Sequence, residues 1–517
     1  MGLLLLSLLP AAPIAAQNSA AVAATAARTN PPPRTLIELQ TRFSNHIAQP
    51  RFAAAQWGIK VVSLESGATW FEHQAGKFAV PASNTKLFTG ALALDRLGPD
   101  FRIRTSLYAR TRPNTDGRLA GDLIVYGRGD PSFSARFHTN ASSVLAALAD
   151  QLALAGVRHI EGDVIGDESF FRTEPLGAGW AWDDLEAHYS AEVSALSLHD
   201  NTLDVVVRPG AAVGDPCRIS LRPPTTYVAI SNLTVTATNA APRTLEFRRP
   251  LGANVIFVEG QLALDAPERV ETMTVHRPAA WFVEQFLRAL ADRKITVGGR
   301  AGTRDWRDRV REPFKPEQFI ELGFVESPPV STLLAAMEKP SQNLHAQLLL
   351  LQVGARNGRA NTAHLTTDKA GIAELRSFLA EAGIRHGVHL EEGSGLSRRH
   401  LVTPAALTAL LRHMHTHRWA DYFREALPIA GVDGTLRTRM QGTPAAGNLR
   451  AKTGTLENVN ALSGYVTTQN GERLAFAFLL NHYNGGREDL DALATLLASY
   501  AGPRHGSSAT SAGTPQP

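Results

Sequence analysis

The chain has 517 residues, of which 44% are hydrophobic and 19% charged, and its formal net charge is +4. This length calls for more than one domain and allows a large core. The balanced charge lacks the basic stripe of a nucleic-acid binder, and a lone cysteine, Cys217, excludes an internal disulfide and a cysteine metal cluster.

At the start, the apolar run 3–9 followed by small residues predicts a signal peptide over 1–16, and so export to the periplasm. The run is too short to span a bilayer. Residues 17–34, ending in Pro31-Pro32-Pro33, have the composition of a linker. Leu36, Leu39, Phe43 and Ile47 recur at helical spacing. A strand is predicted over 57–64, then a turn at Ser66-Gly67. A helix is predicted over 83–97, after Pro81 and before Gly98-Pro99.

From 101 to about 285 the texture changes to short strand-like runs such as 122–126, 203–207, 255–259 and 270–275, punctuated by Gly, Pro and Asp. Helical periodicity returns over 280–291, 343–351, 369–382 and 404–417. Strands over 461–467 and 473–481 flank Asn470-Gly471, a hairpin signal, and an amphipathic helix follows over 487–500. The expected division is a first core segment at 36–98, inserted β-rich domains (two, nested) at 99–285, a second core segment at 286–501, and a disordered tail at 502–517.

Three short motifs carry the chemistry. In Ser83-Asn84-Thr85-Lys86, positions i and i+3 share a helix face, so Ser83 and Lys86 can touch. A serine hydroxyl needs a base, and lysine is one only where burial or a neighbouring cation lowers its pKa. Only eight of the 52 basic residues are lysines, so a lysine marks a place where the permanently charged arginine would not serve. Ser341-Gln342-Asn343 opens a helix after Pro340 and offers a hydroxyl to relay a proton and an amide to hold a substrate. Lys452-Thr453-Gly454-Thr455 precedes the terminal hairpin. On an edge strand it would present backbone groups, hydroxyls and an ammonium to an extended peptide ending in a carboxylate.

Alone, each motif is weak; their order is specific for the penicillin-recognising serine enzymes. Over roughly 36–500 the chain resembles the low-molecular-mass class C penicillin-binding proteins, the D-alanyl-D-alanine carboxypeptidase/endopeptidase family. Further stretches carry the resemblance: Gly129-Asp130-Pro131, Trp180-Ala181-Trp182-Asp183-Asp184, Gly393-Ser394-Gly395-Leu396-Ser397 and Gly431-Val432-Asp433-Gly434-Thr435-Leu436. So does the long insert between Ser83 and Ser341. Two positions depart from the family's pattern: Glu392 where Asp is usual, and Gln347 where Glu is frequent.

The resemblance implies an α/β (α+β) fold, a transpeptidase/β-lactamase-like domain with an antiparallel sheet flanked by helices, plus two inserted β-rich domains. It implies that Ser83 attacks the carbonyl of the penultimate D-alanine with Lys86 as base. Ser341 would protonate the leaving amine and Asn343 would hold the substrate backbone. Lys452, Thr453, Gly454 and Thr455 would receive the terminal carboxylate, and the backbone N–H groups of Ser83 and Thr455 would form the oxyanion hole. Peptidoglycan stem peptides, their cross-links and β-lactams would be the ligands, with no cofactor and no metal.

Other signals weigh less. His413 and His417 share a helix face but lack a further ligand, which favours a solvated helix end. Arg128-Gly129-Asp130 reads as part of a turn, and Asp183-Asp184 as a structural turn, since adjacent carboxylates do not oppose one another. A β-lactamase and a catalytically inactive peptidoglycan-binding module are the rival readings. No Glu-x-x-Leu-Asn deacylation motif occurs, and Ser83, Lys86 and Lys452 are all intact.

Overall fold

The computed structural model describes residues 31–138, 142–357 and 365–504. The expected signal peptide, and most of the expected linker and tail, lie outside these residues. Among the described residues no helix is long and apolar enough to cross a membrane.

The strand Arg473–Asn481 shows how the sheet is covered on both faces. Leu474, Phe476, Phe478 and Leu480 pack with Leu39 and Phe43 of the helix Leu36–Ile47 and with Leu490 and Leu493 of the helix Glu488–Ala498. The alternate residues Ala475, Ala477 and Leu479 face the other way, into a cluster with Leu87, Leu407 and Leu410. Successive strand side chains point to opposite faces, so small residues on one face let helices approach closely while aromatics fill the other. A run apolar at nearly every position is the signature of a strand buried on both sides.

This strand lies in a five-stranded antiparallel sheet, in the order Arg450–Leu456, Val459–Thr467, Arg473–Asn481, Gln56–Ser63, Thr69–His73. Both ends of the core contribute strands, and the sheet is antiparallel as the resemblance implies. Arg450–Leu456 is an edge strand. The helix Pro404–Thr416, capped by the Thr403 hydroxyl and opened by proline, packs on the small-residue face.

Between the first two motifs the chain builds a second, mixed sheet. Its order is Ala301–Arg304, Val164–Asp167, Leu123–Tyr126, Arg104–Ala109, Ile320–Glu326. Two three-stranded sheets, centred on Thr202–Arg208 and Val255–Ala263, share one apolar core with it. The expected boundary at 285 is therefore too early. Position 285 lies inside the helix Pro278–Asp292, whose Trp281, Phe282 and Phe286 belong to the inserted core. The insert closes only where Ile320–Glu326 pairs with Arg104–Ala109. The helical period at 280–291 was legible, but not the surface its apolar face meets. The helices Ser142–Leu154, Val330–Glu338 and Ala420–Ala426 were not expected from the sequence.

Candidate active site

Ser83 sits in a single turn of 3-10 helix, Ala82–Asn84, that leads into the helix Thr85–Leu97. Ala82 just before it has φ 46°, a left-handed conformation costly for a residue with a Cβ. The turn is held from two sides. Asn84 Nδ2 donates to the Lys452 carbonyl at 3.1 Å. Gly454 and Gly395 allow the close approach: a Cβ on Gly454 would stand 2.7 Å from the Pro81 carbonyl oxygen, and one on Gly395 would stand 2.0 Å from that of Ala82. The glycines of both motifs are thus steric requirements of the nucleophile turn.

Lys86 is fully buried. Its Nζ donates to Ser83 Oγ at 3.0 Å, to Asn343 Oδ1 at 2.5 Å and to the Ser394 carbonyl at 2.6 Å. Burial, helped by the charge of Lys452 and opposed by Glu392 and Glu338, pulls this ammonium down to about 7. It can therefore exist as a neutral amine at ordinary pH, which is what a base for Ser83 requires. Lys452 is equally buried, and desolvation, opposed by Glu338, brings it down to about 8.

Asn343 opens the helix Asn343–Asn357 and spans two parts of the molecule. Its Oδ1 accepts from Lys86, and its Nδ2 donates to the Tyr189 carbonyl of the inserted region at 2.8 Å. Ser341, with φ 66°, lines the same cavity as Ser83. Thr453 Oγ1 lies 2.8 Å from Thr435 Oγ1, and Thr455 is exposed beside them on the edge strand. Of the expected site residues, Ser83, Ser341, Asn343 and Thr455 line one cavity, Lys86 bonds to Ser83 and Asn343 behind it, and Lys452, Thr453 and Gly454 precede Thr455 on the edge strand.

The structure adds residues that the motifs did not mark. Glu392 accepts from the backbone N–H groups of Ser394 at 2.7 Å and Gly395 at 2.6 Å, and from Ser394 Oγ at 2.6 Å. This bracket fixes the Ser394 carbonyl that accepts a hydrogen bond from Lys86 Nζ. His400 Nε2 accepts from the N–H groups of Glu391 and Glu392, so its proton is on Nδ1, 3.1 Å from Thr85 Oγ1. A neutral imidazole agrees with the downward pull of its burial. Asp183 and Asp184 do form a 3-10 turn, as expected, yet they also line the cavity of about 520 Å³ that holds Ser83. Single-sequence pattern offered no signal that this turn of the insert would return to the nucleophile.

The weaker motifs find other places. Asp130 is 2% exposed and Gly129 is buried, so the Arg128-Gly129-Asp130 tripeptide is a largely buried loop that leads into the turn at Pro131. His417 Nε2 lies 3.1 Å from Asp95 Oδ1, and the His413 ring is tilted against it at 5.7 Å between centroids. Among the described residues, no group of three or more His, Cys, Asp or Glu could hold a metal ion.

A serine beside a buried, neutralisable lysine, on a helix at the edge of an antiparallel sheet, defines a serine acyl-transfer enzyme of the penicillin-recognising class. The D-Ala-D-Ala carboxypeptidase 3 (S13) family matches residues 39–500, and the chain belongs to that family. It is 36% identical over 485 residues to the D-alanyl-D-alanine carboxypeptidase of Actinomadura sp. (strain R39), across 90% of this chain and 86% of that one. The crystal structure of penicillin binding protein 4 (dacB) from Haemophilus influenzae superposes with a TM-score of 0.74 at 26% identity, across 89% of this chain and 98% of that one. The same protein complexed with a novel β-lactam gives 0.69 at 25% identity, across 87% and 97%. The chain is a serine D-alanyl-D-alanine carboxypeptidase with the α/β transpeptidase-like fold.

Proposed function

We propose that Ser83 is the nucleophile and Lys86 its base, and that the enzyme acts in the periplasm on stem peptides and cross-links of peptidoglycan. The observation that carries this reading is the 3.0 Å contact between Ser83 Oγ and a lysine amine brought down to about 7 by burial. Ser83 Oγ bonds to the carbonyl carbon of the penultimate D-alanine while its proton passes to Lys86 Nζ. The C–N bond to the terminal D-alanine then breaks, and Ser341 relays the proton held by Lys86 to the leaving amine. Water hydrolyses the resulting ester. Backbone N–H groups of Ser83 and Thr455 stabilise the oxyanion, an interaction whose loss typically costs about 10²–10³ in rate. Lys452, Thr453 and Thr455 receive the terminal carboxylate on the open edge of the strand.

Asn343 Oδ1 accepts from Lys86 and its Nδ2 donates to the Tyr189 carbonyl, so its part includes orienting Lys86. The acidic wall of Asp183 and Asp184 favours a stem peptide carrying a free amino group.

Intact-protein mass spectrometry with benzylpenicillin tests the assignment. One adduct on the parent and none on Ser83→Ala supports it. An adduct retained by Ser83→Ala overturns it. Rapid hydrolysis of the antibiotic without an adduct would instead indicate a β-lactamase.

A further inference from the structure

Glu338 is the last residue of the helix Val330–Glu338, three positions before Ser341. It is 1% exposed, and neither carboxyl oxygen has a hydrogen-bond partner among the described residues. Unpaired buried carboxyls are costly, so their environment demands a reason. The environment here is the catalytic lysines. Gly90, one helical turn beyond Lys86, leaves its face open to this carboxyl: a Cβ there would lie 3.0 Å from Glu338 Oε1 and 2.7 Å from Leu334 Cδ1. On the other side the chain is tied to the Lys452 strand. The Lys339 carbonyl accepts from Thr435 N at 2.9 Å, and Thr435 Oγ1 meets Thr453 Oγ1. Glu338 thus lies between the nucleophile helix and the edge strand. It feels the charges of Lys452 and Lys86, which oppose a burial that raises its carboxyl to about 7.

Other charges around it are already engaged. Lys339 pairs with Asp433 at 2.6 Å, and Glu392, which also acts on Lys86, is held by bracketing Ser394. Lys86 and Lys452 have no carboxylate within ion-pair distance among the described residues, so Glu338 is the counter-charge they share at longer range.

We propose that Glu338 is a positioning residue of the catalytic cluster, a buried counter-charge that supports the proton affinity of both Lys86 and Lys452. A proton lost by Lys86 leaves the base free, while one kept by Lys452 keeps the carboxylate receptor charged. Glu338 favours the protonated form of both. The substrate carboxylate brings a second negative charge to Lys452, and the cluster then accommodates it by protonating Glu338, with the proton drawn from solvent.

This rests on the roles given above to Lys86 and Lys452, and the two can fail separately. The test is the pH profile of acylation by benzylpenicillin. In Glu338→Gln, both lysines lose a negative neighbour, so the acid limb and the alkaline limb move to lower pH by about one unit. Glu338→Asp, which keeps the charge, returns the limbs toward the parent. Glu338→Met removes the charge while filling the space, and shifts the limbs as Gln does. A uniformly slower enzyme with unmoved limbs overturns the proposal, because a structural role lowers the rate at every pH alike. Ser83 that fails to acylate in the parent would instead overturn the roles of the lysines.

The unmodified enzyme supplies a second measurement if the variants do not fold. Burial raises Glu168 to about 7 as it does Glu338, so with δ-¹³C-glutamate two carboxyl carbons should titrate near neutral pH, and one of them, that of Glu338, should move on acylation by benzylpenicillin. The absence of a carbon that both titrates there and moves also overturns the proposal.

Discussion

Gln347 Nε2 donates to Glu392 Oε2 across 2.6 Å, so the two positions that depart from the family's pattern touch each other. Gln347 Oε1 in turn accepts from Gly393 N at 3.1 Å. A carboxylate already receiving backbone N–H groups gains a neutral donor here, and the bracket under Ser394 closes without a second acid.

Gln347→Glu should therefore strain the bracket. Two adjacent buried carboxyls cannot both ionise, so one takes a raised pKa. A value raised in the folded state means stability that is present below the unfolded value and lost as the pH rises through the folded one. Urea unfolding should show the variant close to the parent at acidic pH and weaker by about 1–3 kcal/mol at pH about 8. Equal stability at the alkaline end would show that the pocket hydrates a second carboxylate.

Acylation should follow a narrow bell. Lys86 must lose its proton near 7, while Lys452 must keep its own, which it does below about 8. In Lys452→Met the cation that lowers Lys86 is gone, so the acid limb moves to higher pH and kcat/KM falls by about 10²–10³. Stopped-flow acylation across the range measures both. An acid limb that stays in place would mean that burial alone sets the state of Lys86.

Asp130 should limit stability at alkaline pH. It is fully buried, one oxygen accepts from Ser132 N at 2.7 Å, and the other lacks a partner. Burial raises it from 3.8 to about 7. The fold prefers its neutral form, so its contribution is fully present below 3.8 and is lost as the pH rises through about 7. Asp130→Asn keeps an acceptor for Ser132 and carries no charge. It should be roughly 2–4 kcal/mol more stable than the parent well above neutrality, with the difference vanishing in acid. Denaturant midpoints at several pH values decide it.

The acidic wall should set substrate preference. Asp183→Asn combined with Asp184→Asn should lower kcat/KM about tenfold for a stem peptide with a free side-chain amine. The same peptide with that amine acetylated should be cleaved at nearly the parent rate. An equal loss on both peptides would assign these residues to the turn alone, through Tyr189, whose hydroxyl donates to Asp184 at 2.7 Å.

By itself, the sequence determined the chemistry and most of the elements. Ser83 and Lys86 meet because i and i+3 share a helix face, a relation fixed by helical geometry before any tertiary contact forms. The strand 473–481 and the hairpin at Asn470-Gly471 were legible because period and turn chemistry are local properties. What lay beyond reach were the meetings between segments far apart in the chain. Trp281 and Phe282 could be read as a helix face, but only the fold shows that this face packs in the insert. Glu338 carried no mark in the sequence, since a glutamate before Lys339-Pro340 reads as solvated until the helix Val330–Glu338 buries it. Asp183 and Asp184 reach Ser83 only because the insert folds back over the cleft. Periodicity reports which side of an element is apolar. Which groups that side meets, and how far water is kept from them, is a property of packing, and it is packing that makes Lys86 a base.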